Sequence, residues 1–112
     1  MPLPVQFPDQ AISHILDQSM LLQCACPAQV CQAIAAQRNL YAYQENCLNR
    51  SDTDKAVHQR IAKSVQITHA ELERCLAEIL YLEDWDLQTF TMPQALRDKM
   101  FCELQSELEK QN

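Results

Sequence analysis

Three of the six cysteines fall within eight residues, Cys24-Ala25-Cys26-Pro27-Ala28-Gln29-Val30-Cys31, and such close thiols have more scope for chemistry than anything else in the chain. As thiolates they would bind a soft metal: zinc, copper(I) or the iron of an iron–sulfur cluster. As exposed thiols they would sense oxidants. As neutral thiols they would pack like small core hydrophobes. The C-x-C-x4-C spacing matches neither the paired C-x-x-C knuckles of zinc sites nor the cysteine runs of iron–sulfur proteins. Packing is the plainest of the three readings, and the other two stay open beside it.

Proline at 27 restricts Cys26 to extended backbone and suits the first position of a helix, so Cys26 is the expected N-cap of a second helix. A thiol there faces the positive end of the helix dipole, which makes Cys26 the candidate reactive thiol. Cys24 and Cys31 are near enough in sequence to trap its oxidised form.

The elements that would hold these thiols read as helices. Residues 1–7 form a proline-rich extended arm with Phe7 as its anchor, and Pro8-Asp9 opens a first helix with Ile12, Ile15, Leu16, Ser19 and Gln23 on one side. A second helix runs from Pro27 to about Leu48 or Asn49, with Val30, Cys31, Ile34, Tyr41 and Leu48 facing the core and Arg38 and Glu45 interrupting that face. Ser51 with Asp54 resembles a capping box and opens a long third helix. Its face is Ile61, Val65, Thr68, Leu72, Cys75, Ile79 and Leu82, recurring at three and four. Trp85 to Phe90 is a connector with aromatic anchors. Thr91-Met92-Pro93-Gln94 is a second capping box, and the fourth helix follows with Leu96, Met100, Leu104 and Leu108 on one face, widened by Phe101.

Short connections imply antiparallel neighbours, so the expected fold is all-α, a single-domain four-helix up-down bundle with a long central third helix. Mirroring the helices about their connections brings residue 27 near 75, and 75 near 102. That levels Cys24, Cys26, Cys31, Cys75 and Cys102, while Cys47 lies about 24 Å further along its helix. Cys102 points outward on its helix, which leaves Cys24, Cys26, Cys31 and Cys75 as the candidate metal set.

Other constellations are weak. Asp54/His58 and His69/Glu73 are i,i+4 pairs that read as solvated surface pairs. No Ser-His-Asp order, glycine-rich phosphate loop or H-E-x-x-H motif is present. From Glu71 to Asp86 there are six acids and one base, Arg74, which makes Glu83, Asp84, Trp85, Asp86 and Phe90 a candidate docking site for a basic protein surface.

Composition narrows the class. The chain has 112 residues and no glycine, which disfavours hairpin-rich sheet folds. Fifteen acids against nine bases, a net charge of −6, disfavour nucleic-acid binding. No apolar run approaches the ~18–20 residues of a membrane span. The start lacks a secretory pattern, so a cytoplasmic setting with reduced cysteines is expected. The expected function is a small cytosolic regulatory or adaptor protein acting through protein–protein contacts, without catalysis of its own. The alternative is a thiol-based metal or redox module. A homodimer would be one way to cover so long a helix.

Overall fold

The computed structural model describes residues 2–19 and 26–110, apart from the side chain at position 100. Four helices account for most of it: α1 (Asp9–Ser19), α2 (Cys26–Asn46), α3 (Asp52–Leu82) and α4 (Gln94–Lys110). The all-α class and the long third helix are as the sequence implies, and the isolated Asp86–Thr91 bridge is the one β-type pairing among the described residues.

α2 and α3 lie antiparallel. Gln66 donates to the Tyr41 hydroxyl at 3.4 Å and Thr68 to Gln37 at 2.7 Å, so numbers fall along one helix as they rise along the other. α1 packs on α2. The core joins Ile12 and Ile15 of α1, Cys31 and Ile34 of α2, and Leu76 and Leu80 of α3, closed by Phe7, Trp85 and Met92. Each fully buried aliphatic side chain there contributes about 1.5–3 kcal/mol.

α4 does not join that stack. Among the described residues it meets no other helix, and Leu96 in its first turn is what reaches the core. The fourth place of an up-down bundle is therefore unfilled. The chain is elongated in consequence, with extents of 61 × 33 × 18 Å and a radius of gyration of 18.1 Å, where a compact domain of this length has about 13 Å.

Local chemistry accounts for the helix ends. Ser51 accepts from the Asp54 amide at 3.1 Å, the capping contact read from the sequence. α3 ends in a Schellman motif: the Trp85 amide bonds the Leu80 carbonyl at 3.0 Å, the Asp84 amide bonds Tyr81 at 3.1 Å, and Asp84 takes φ 64°. Trp85 and Leu80, the usual hydrophobic partners of that motif, both lie in the core. The second capping box is displaced. Thr91 pairs with Asp86, and the Pro93 carbonyl receives the first bonds of α4, from Leu96 and Arg97 at 3.1 Å each.

Two faces differ from expectation. The buried residues of α3 are Val65, His69, Glu73, Leu76 and Leu80. Thr68 and Leu82 are exposed, and Ile61, Leu72, Cys75 and Ile79 are half-buried, so the face is rotated toward two polar residues. α2 stops at Asn46, which leaves Leu48 exposed. The first turns of α3 run past that end and move the register by about one turn. Cys75 is thus level with Cys31 rather than with Pro27.

Candidate functional site

The polar centre of the molecule is a clamp that sequence reasoning missed. Glu73 is buried, and its Oε2 accepts from the backbone amides of Gln6 at 2.7 Å and Phe7 at 2.8 Å. Arg38 crosses from α2 to the same oxygen at 3.3 Å, to Asp9 of α1 at 2.6 Å, and to the Phe7 carbonyl. Its Nε donates to His69 Nε2 at 3.0 Å. A guanidinium only donates, so Nε2 is the bare nitrogen and the hydrogen sits on Nδ1. That Nδ1 faces Glu73 Oε1 at 3.5 Å, beyond a good hydrogen bond. Burial pushes the His69 pKa below the usual histidine value; Glu73 opposes this and Arg38 adds to it.

The arm, α2 and α3 therefore meet on one carboxylate, and α1 joins through Asp9 on the same guanidinium. His69 has no exposed surface, so it cannot reach a substrate as a general base. The work of the cluster is structural: it seats the arm, whose Phe7 ring meets Phe90 edge-on at 5.7 Å. The pair read as a solvated surface pair is the most buried charge site among the described residues. The available signal was three polar residues, Arg38, His69 and Glu73, each on a helix face that is otherwise apolar. The other surface pair is also altered, with His58 Nδ1 bonded to Asn49 Oδ1 at 2.7 Å.

The thiols are dispersed in environment. Cys26 is exposed at the first residue of α2. Cys31 is fully buried, and burial pushes its thiol up to about 11, against a smaller opposing pull from Arg38. Cys75 is half-buried and Cys102 is exposed on α4. Cys24 lies outside the described residues. Cys47 shares a cavity of about 210 Å³ with His58 and Asn49. Among the described residues no three thiol, imidazole or carboxylate groups converge to hold a metal.

The connector divides the candidate docking residues. Trp85 is 4% exposed, and its indole N–H bonds Glu83 at 2.9 Å, so the ring closes the core and is not offered to a partner. Glu83 and Phe90 are half-buried. Asp84 and Asp86 stand in solvent, and amides of Thr89 and Gln88 hold the Asp86 carboxyl below its usual range. The side-chain amide of Gln18 in α1 reaches across, accepting from the Met92 amide at 2.7 Å and donating to the Phe90 carbonyl at 3.0 Å.

Apolar surface is uncovered at several places among the described residues, including a groove at Ala56, Val57 and Ile61 and two surfaces toward the C-terminal part of the chain. A groove of about 420 Å³ at the end of α3 is lined by Ala77, Tyr81, Leu82 and Leu87 between Arg74 and Glu78. On α4, Phe101 is 71% and Leu108 64% exposed, with Leu104 beside them. No helix of the described residues is long and apolar enough to cross a membrane.

No protein-family model, curated protein or solved structure matches the chain. The fold defines an all-α protein with a three-helix body, clamped through one buried glutamate, and a fourth helix that stands away from it.

Proposed function

We propose that this is a small non-catalytic protein that works in the cytoplasm by binding other proteins, and that α4 makes the principal contact. The observation that carries the reading is that α4 leaves the body with Phe101, Leu104 and Leu108 in solvent. A lone helix of 17 residues is marginal in water. One that does not pack on its own body gains its stability by burying its apolar side on something else. Net acidity and the exposed Asp84 and Asp86 favour a basic surface as a further partner.

Phe101→Ser tests this. At concentrations low enough to keep the chain as single copies, the thermal midpoint should stay within about 1–2 °C of the parent, because a solvent-facing side chain adds little to the fold. A fall as large as that of a core truncation would return α4 to the fold and remove the reading. The thiol module is the weaker alternative. The exposure of Cys26 favours it, whereas a Cys31 thiol held protonated by burial is a poor ligand or resolving group.

A further inference from the structure

We propose that α4 pairs antiparallel with α4 of a second copy of this chain. The inference rests on the reading of α4 as the contact element and names its occupant. Arg97, Phe101, Leu104 and Leu108 follow one another at four, three and four, the spacing of a two-helix seam. All four are exposed, and no other helix of the described chain covers them.

Charge decides both the partner and the direction. The first half of α4 carries Arg97 and Lys99 with Asp98; the second half carries Glu103, Glu107 and Glu109 with Lys110. A parallel pair sets like halves side by side. An antiparallel pair sets Arg97 and Lys99 of each copy beside the acids of the other. In that register Phe101 meets Leu104 of the second copy. The aliphatic stem of Arg97 lies over the second copy's Leu108, with its guanidinium toward the glutamates.

The bodies point the same way. α4 has three bases and four acids, so nearly all of the net charge of −6 sits on the rest of the chain. Each body joins α4 at its N-terminal end. Antiparallel pairing holds the two bodies at opposite ends of a helix about 25 Å long, some three screening lengths apart at physiological salt. Parallel pairing would press the two acidic bodies together. A seam of four residues per helix is short, so the dimer is of the weak, reversible class.

The test is the mass of the full chain in solution, by sedimentation equilibrium and light scattering, over a concentration series. The parent should pass from one chain mass to two as concentration rises. Arg97→Glu with Lys99→Glu should weaken pairing about tenfold or more, and so should Glu103→Lys with Glu107→Lys. All four changes together should restore it, because both halves are then reversed. In a parallel pair each half faces its own kind, so neither half-reversal would matter. A dimer that survives both but is lost in Phe101→Ser overturns the antiparallel arrangement. A chain that stays monomeric to about 1 mM, with α4 amides exchanging rapidly, overturns self-pairing and leaves the contact reading standing. A monomer whose α4 amides are protected, with α4 folded on the Tyr81–Leu87 groove, overturns both.

Discussion

Replacing Glu73 by leucine isolates the clamp. The change fills much of the same space but removes the acceptor of the Gln6 and Phe7 amides, and it leaves the Arg38 guanidinium, 14% exposed, without its buried countercharge. Counting three hydrogen bonds to a charged acceptor at about 1.5–3 kcal/mol each overstates the loss, since the Gln6 amide is only partly buried and can turn to water. Breaking a buried ion pair from one side costs about 3–5 kcal/mol, and that is the expected effect. Against a total of about 6–15 kcal/mol for a domain of this size, the variant still folds, with its thermal midpoint lowered by about 12–20 °C. The assay is urea unfolding followed by circular dichroism, with hydrogen exchange reporting early release of the arm. Two controls separate the clamp from general damage. Asp9→Asn should cost less than about 1 kcal/mol, because the Asp9 side chain is 91% exposed. Arg38→Met combined with Glu73→Leu should be less destabilised than Glu73→Leu alone, because no charge is then stranded. A Glu73→Leu variant within about 0.5 kcal/mol of the parent would refute the assignment of Glu73 as the point where arm, α2 and α3 are joined.

Three further outcomes are expected. His69 is held neutral by burial, so its contribution to stability is complete above the unfolded histidine value of about 6.5 and declines as pH falls below it; urea midpoints at pH 7.5 and 5.5 should show a larger acid loss in the parent than in His69→Gln. In timed alkylation of the native reduced chain, Cys26 at the start of α2 should react faster than Cys102, and Cys31, with its thiol at about 11 and fully buried, should react only on unfolding; peptide mass spectrometry reads the order. Trp85→Ala should lower stability by about 3–5 kcal/mol in a chemical melt, as expected of a ring that closes the core, and a neutral result would return the indole to the surface.

Much of the fold is legible from local rules. The Ser51 cap, the arm anchored by Phe7 and the start of α1 at Asp9 follow from residue types at fixed offsets, which depend little on distant contacts. The buried face of α3 is not legible in the same way. Apolar periodicity assumes that polar residues face water, and here His69 and Glu73 face inward, where Arg38, 35 positions from Glu73, donates to both. That compensation is tertiary, and its one local trace is a polar residue on an otherwise apolar helix face. The departure of α4 has a related cause. Its apolar stripe reads like that of a bundle helix, but the direction it takes depends on a connector with positive φ at Asp84 and Phe90, in a chain without glycine to announce such turns. Of the thiol set, Cys24 lies outside the described residues, while Cys31 lies inside and Cys26 outside, a difference of burial that spacing along the sequence does not reveal.

Gln18 gives α1 leverage over a helix it never touches. Its amide grips Phe90 and Met92, two residues apart on one edge of the connector, just before α4 begins. A boom about 25 Å long amplifies slack at its root, and a tilt of about 10° there sweeps the tip through about 4 Å. That displacement is roughly the rise of three helical residues, or about three quarters of a turn. The aim of α4 is thus set from a side chain more than 70 positions away in sequence, and drift at Gln18 would redirect α4 without altering a single residue of that helix.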